Sequence, residues 1–233
     1  RDAAALEQSF GDRTMAGRYA AMAEDIGARI VARFWDGAAG MLADDTAREW
    51  FSEHAQALAL LNDVLDGRRA KSCFKALLSS RKLKRATIYF RFYLFETFRR
   101  FGRGDLIAGG MDFWETLLGN GLKTPLENPE PARSDCHAWG SHPLFHMHAS
   151  LCGIRPVAPG FRKVEIAPSP GPLKNIESRI PHPRGWVKAT LEFSGGGRSC
   201  AGMVTLPPDT PGVFRWRGKT RLLRPGGVSD INL

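Results

Sequence analysis

Between Arg18 and Phe34, apolar residues recur at helical spacing (Tyr19, Met22, Ala23, Ile26, Ile30, Val31, Phe34), which predicts an amphipathic helix. Trp35-Asp36-Gly37, with Gly40 close behind, reads as a turn. Ser52 then stands as N-cap of a second helix through Ala55, Leu58, Ala59 and Leu65. A third helix is expected over Ala70–Leu78 and a fourth over Thr87–Phe101, ending at Gly102. Tyr89, Phe90, Phe92, Tyr93, Phe95 and Phe98 lie nearly all round that fourth helix, so burial is expected on both its sides. Asp105 reads as the cap of a fifth helix through Leu117, closed by Gly119 and Gly121. After a Pro- and Glu-rich loop from Lys123 to Asp135, a sixth helical stretch carries Pro143 near its first turn and ends at Gly153. Residues 16–153 thus read as six helices paired in three hairpins.

After Ile154 the period changes from 3.6 to 2. Short alternating runs, Lys163–Ile166, Trp186–Phe193 and Met203–Leu206, are separated by Pro/Gly clusters, the pattern of an antiparallel β-sandwich. The fold class expected is therefore multidomain, α then β, with a helical part over 1–153 and a β-domain over 154–233.

Composition narrows the function classes. With 43% hydrophobic and 24% charged residues over 233 positions, the chain is an ordinary globular protein rather than a disordered or collagen-like one. No run approaches the roughly 18 apolar residues of a membrane span, so no membrane partner is expected. The first residue is Arg1, not Met, which predicts a longer protein upstream and leaves localisation unread. The net charge of +9 is unevenly spread: residues 157–233 hold twelve basic and five acidic side chains, net +7. The densest basic run, Arg81–Arg85, is short and falls at a helix–helix loop without stacking aromatics, so no nucleic-acid partner is expected. Cys73, Cys136, Cys152 and Cys200 form no CxxC pair and read as buried free thiols.

Three places hold residues able to do chemistry. Phe113-Trp-Glu115 sets a carboxylate beside an aromatic ring, which suits carbohydrate: the ring packs on a sugar's apolar face while the carboxylate activates water or holds hydroxyls. The same pair also fits an ordinary buried Trp next to an exposed Glu. In Arg133-Ser-Asp-Cys-His-Ala-Trp-Gly-Ser-His-Pro143, a polar loop delivers His137 and Trp139 to the first turn of a helix. His142 and His146 are four apart and could share a helical face toward a metal, but no third ligand is evident and core or capping roles serve equally. His54, just inside the second helix, either faces a cavity or caps. GxGxxG, P-loop, GxSxG and HExxH motifs are absent. The residues imply neither a cofactor nor a metal.

The ordered set Arg33-Phe-Trp-Asp36, Ser52–Leu60, Ile88–Tyr93, Phe113-Trp-Glu115, Arg133–Trp139, Gly153-Ile-Arg-Pro156 and Pro159-Gly-Phe161 resembles the C-terminal half of bacterial α-L-rhamnosidases. The resemblance implies the later helices of an (α/α)6 six-hairpin barrel followed by a β-sandwich. It also implies inverting removal of terminal α-L-rhamnose from a glycoside or polysaccharide. Inversion needs two carboxyl groups roughly 6.5–9.5 Å apart, with a water between base and sugar. By the resemblance Glu115 is the general base, Trp114, His137 and Trp139 line the rhamnose pocket, and His54 faces it more loosely. The chain departs from the family at Met111-Asp112-Phe113, where small and hydroxyl residues are usual, and nothing in it corresponds to the acidic motif of the general acid. Two other readings share the pattern: a fucosidase- or glucoamylase-like inverting enzyme, and a non-catalytic carbohydrate-binding remnant. Three hairpins cannot close a six-hairpin barrel, so exposed apolar faces, poor solubility and no hydrolysis are expected of these residues alone, with the Thr87–Phe101 helix most vulnerable.

Overall fold

The computed structural model describes residues 1–129 and 131–233, and Glu130 of the polar loop lies outside the described residues. The chain divides into two units, 1–86 and 87–233, each described by itself.

The first unit opens with α1 (Asp2–Phe10), a helix with no buried residue and no apolar stripe to announce it. Asp12 then caps α2 (Arg13–Phe34), its carboxylate accepting the Thr14 and Met15 amides at 2.6 and 3.1 Å. A hairpin of β1 (Trp35–Asp36) and β2 (Met41–Leu42) follows, its turn closed by the Ala38 and Ala39 amides on Asp36. β3 (Phe51–Ser52) leads into α3 (Glu53–Leu61), capped as the sequence predicts by Ser52 Oγ on the Ala55 amide. Asp66 caps α4 (Gly67–Ser79), and β4 (Leu83–Lys84) pairs in parallel with β3.

Two buried polar side chains hold these pieces together. Gln56 exchanges both of its amide functions with Leu42, accepting at 2.9 Å and donating at 2.7 Å, and so fixes β2 on α3. The Glu53 carboxylate accepts from Arg85 at 2.6 Å and from the Ala86 amide at 2.7 Å, turning the chain after β4. The apolar stripe predicted for α2 is real, yet only Ala16 and Gly27 are buried, and Met22, Ile26 and Ile30 are exposed. Met22, Ile26 and Ile30 thus leave an exposed apolar stripe on α2.

The second unit begins with that aromatic helix, α5 (Arg91–Arg100), where Leu94, Phe95 and Thr97 are buried. The single fifth helix predicted from Asp105 to Leu117 is two helices, α6 (Gly104–Gly109) and α7 (Asp112–Gly119). Gly109-Gly110 supplies little helix propensity, and Gly110 lies so close to Phe95 that a Cβ there would stand 2.6 Å from its ring. Asp105 does not cap: its carboxylate pairs with Arg103, 2.8 Å from Nε. The predicted sixth helix is likewise composite, a 3-10 turn (Ala138–Ser141), α8 (His142–His146) with Pro143 in its first turn, and a π turn (Met147–Leu151).

From Ile154 the chain is β: β5 (Ile154–Pro156), β6 (Val164–Ile166), β7 (Asn175–His182), β8 (Gly185–Ser194), β9 (Ser199–Thr205), β10 (Gly212–Trp216), β11 (Lys219–Leu223) and β12 (Val228–Asn232). They form two four-stranded sheets, ordered β11-β10-β6-β5 and β12-β9-β8-β7. β8 shows the expected alternation, with Val187, Ala189, Leu191 and Phe193 inward and Trp186, Lys188, Thr190 and Glu192 outward. Pairing is antiparallel except between β6 and β10, which run parallel because the chain crosses to the other sheet for β7–β9 before returning.

Phe95, Ile107 and Met111 share one core with Val164, Ile166, Val187, Leu191 and Phe214. Helices α5–α7 are thus built onto the sandwich, and the packing division falls after Ala86 although the sequence period changes at 154. The seam is tight: a Cβ on Gly104 would meet the Ser169 carbonyl oxygen at 1.8 Å. Gly153, which ends the π turn at φ +79°, leaves equally little room beside Ala167. Gly104→Ala is expected to cost about 1–3 kcal/mol through forced displacement of that loop, measured by urea denaturation of the chain.

Candidate active site

Trp114 and Glu115 sit side by side in the first turn of α7. The Trp114 indole N–H donates to the Gly140 carbonyl at 2.7 Å, tying α7 to the 3-10 turn that carries Trp139. Its ring packs edge-on against His142, centroids 5.0 Å apart, and against Phe113 at 5.3 Å. The Arg91 guanidinium lies 5.4 Å from the Phe113 ring centre and 5.8 Å from that of Trp114. Trp114 is therefore half-buried, a strut of this region as well as a neighbour of the carboxylate. Glu115 is exposed, and among the described residues no group hydrogen-bonds or ion-pairs with its carboxylate.

His137 and Trp139 are brought together, ring centroids 4.7 Å apart and tilted by 44°. The His137 amide donates to Pro125 O at 2.9 Å, and the Gly140 amide donates back to His137 O at 3.0 Å, which sets the turn. Trp139 also meets Tyr89, 5.7 Å away. Tyr89 and Trp139 are each 48% exposed, an open aromatic platform on the surface of the second unit. The Glu127 amide donates to Ser134 O at 2.9 Å, the Glu127 carboxylate ion-pairs with Arg133, and His137 Nε2 stands 3.8 Å from that carboxylate. Tyr89 and Glu127 were not singled out by their sequence context. Tyr89 is hidden among six aromatics, and Glu127 is one acid of a polar loop.

His142 and His146 belong to the support of this region. His142 Nε2 donates to Ile88 O at 3.0 Å, so its proton sits on Nε2, and burial holds its pKa below the usual histidine value. His146 is fully buried, with Nδ1 2.9 Å from Ser150 Oγ. Arg155 donates to the same hydroxyl at 3.1 Å, which frees the Ser150 proton for Nδ1. Burial, then the nearby His142, Arg155 and Arg99, push the His146 pKa down to about 3. Glu96 lies 3.6 Å from Nδ1 and would oppose this, but its charge is already taken by Arg155 at 3.0 Å. The two imidazoles are 5.5 Å apart, and among the described residues no group of three His, Cys, Asp or Glu is placed to hold a metal ion.

His54 belongs to the first unit. There it lines a cavity of about 620 Å³ with Ile26, Ile30, Phe34 and Leu58, next to Ser52, whose hydroxyl donates to Asp44 at 2.8 Å.

The second unit thus presents an exposed carboxylate at Glu115 and an open aromatic platform of Trp139, Tyr89 and His137. Residues 153–213 match the family model described as the bacterial alpha-L-rhamnosidase C-terminal domain. The chain has the fold of solved rhamnosidases. A GH78 family rhamnosidase of Bacillus sp. GL1 shares 24% identity at TM-score 0.76, over 91% of this chain and 24% of that one. An α-L-rhamnosidase from Aspergillus terreus shares 18% at TM-score 0.76, over 99% and 28%. A Streptomyces avermitilis α-L-rhamnosidase complexed with L-rhamnose shares 17% at TM-score 0.69, over 91% and 22%. The chain thus spans about a quarter of the length of these proteins. No curated relative matches it.

Proposed function

We propose that this chain is the part of an inverting α-L-rhamnosidase that carries the general base, Glu115. In this reading residues 1–153 belong to its helical catalytic domain and 154–233 to its C-terminal β-sandwich. The observation that carries the proposal is the solvent-facing Glu115 carboxylate, without a partner among the described residues and anchored through Trp114 and Gly140 to the turn that bears Trp139. The rhamnosidase relatives support the substrate class, and the L-rhamnose complex of the Streptomyces protein supports the sugar.

In the proposed reaction Glu115 accepts a proton from a water whose oxygen attacks the anomeric carbon. The glycosidic C–O bond breaks on the opposite face, and a carboxylic acid supplied by the rest of the complete protein protonates the leaving oxygen. Trp139 and Tyr89 present rings to the sugar's C–H face and methyl group, and His137 hydrogen-bonds hydroxyls. Trp114 positions rather than reacts, since its N–H is already engaged. The 233 residues alone then hold one carboxyl of the required pair and are expected to release no rhamnose.

The test is hydrolysis of aryl α-L-rhamnoside, α-L-fucoside and α-D-glucoside by the complete protein. Release from the rhamnoside alone is expected, and equal or greater release from either of the others would reassign the substrate. Trp139→Ala should raise KM on the rhamnoside about 10-fold, the ~1.4 kcal/mol of one lost ring contact, with kcat nearly unchanged.

A further inference from the structure

The excess positive charge of the β-domain is concentrated on one edge. From Thr210 to Ser229 the chain has five basic residues, Arg215, Arg217, Lys219, Arg221 and Arg224, and no acidic one. All five are exposed. They lie on the hairpin of β10 and β11 and in the turn that follows it, and β11 is the free edge of its sheet. Arg215 is neutralised by Glu165 at 2.6 Å. Arg217 donates to Gly197 O at 2.8 Å, which satisfies a hydrogen bond but leaves the charge uncompensated. Along an extended strand Lys219 and Arg221 point to the same side, about 7 Å apart. Most of this segment lies beyond the stretch 153–213 that matches the rhamnosidase C-terminal domain.

We propose that this hairpin is a binding surface for an acidic polysaccharide, with Arg217, Lys219 and Arg221 pairing with successive carboxylates of a uronic-acid chain. The guanidiniums of Arg217 and Arg221 offer carboxylates paired N–H donors and the Lys219 ammonium adds a point charge, so the three read a line of carboxylates better than a diffuse positive field would. The aromatic residues of the hairpin decide between polyanions. Phe214 and Trp216 point into the core and are buried, so the surface offers charges but no ring on which a base could stack. A strand edge lined with cations also blocks edge-to-edge association, and the experiment separates the two roles. The inference goes beyond the catalytic proposal and does not depend on Glu115.

The experiment measures binding of the complete protein to polygalacturonate, neutral dextran and single-stranded DNA at 50 and 200 mM salt. A second protein carries Arg217→Gln, Lys219→Gln and Arg221→Gln, with its thermal melt and sedimentation recorded alongside. Expected is binding to polygalacturonate that weakens at least 10-fold at the higher salt, weakens at least 10-fold in the triple variant with an unchanged melt, and exceeds binding to DNA. Dextran should not bind. Equal binding by the variant, tighter binding of DNA, or no binding of polygalacturonate by the wild type would each overturn the proposal.

Discussion

Glu115→Gln in the complete protein is expected to lower kcat on an aryl α-L-rhamnoside by about 10³-fold while KM stays within a few-fold. Gln matches Glu in shape but cannot take a proton from the attacking water, so the loss falls on the chemical step. The side chain is exposed on α7 and holds no partner among the described residues, so the melt should shift little, as for other surface substitutions, within about 0.5 kcal/mol. Trp114→Ala makes the contrast. It removes the bond to Gly140 and part of two core clusters, and should cost about 3 kcal/mol of stability. A rate loss of less than 10-fold for Glu115→Gln would remove this residue from the base's role.

Acid should destabilise the second unit through its two buried histidines. His146 is neutral in the folded state, its pKa pushed down to about 3 chiefly by burial, and His142 is lowered for the same reason. In the unfolded chain both titrate near 6.5. The unfolded state therefore binds more protons below pH 6.5, and stability falls as pH falls. The contribution is complete above pH 6.5. It is lost at about 1.4 kcal/mol per pH unit for His146, or about 2 kcal/mol by pH 5. Urea titrations at pH 8 and pH 5 should show at least that loss, and His146→Gln should remove most of the His146 share while keeping a partner for Ser150. An unchanged pH dependence in the variant would place the acid sensitivity elsewhere.

Local patterns carried most of the elements. The Ser52 cap, the helix over Ala70–Leu78 and the alternation of β8 are written in neighbouring residues, and the structure reproduces them, starting that helix earlier, at Gly67 behind an Asp66 cap. The break between α6 and α7 is not local, because Gly110 meets the Phe95 ring only once α5 has folded back on it. The parallel pairing of β6 and β10 likewise depends on where an intervening sheet puts the chain, which no short pattern encodes. The same limit applies to the site. Trp139 stood out beside His137, but its contact with Tyr89 joins residues 50 positions apart. Trp114 stood out beside Glu115, but its indole bond to Gly140 also joins residues far apart in the chain.

The exposed face of α2 follows from the same reading. Met22, Ile26 and Ile30 repeat at the spacing of a buried stripe, yet they face solvent here. Contiguous apolar surface of this kind favours association.

The central claim is that Glu115 serves an inverting hydrolysis, and the stereochemistry of the first turnover tests it most directly. Proton NMR of an aryl α-L-rhamnoside treated with the complete protein should show β-L-rhamnose first, with the α anomer appearing only as mutarotation proceeds. α-L-rhamnose as the first product would contradict it, since retention requires a carboxylate nucleophile rather than a base acting on water.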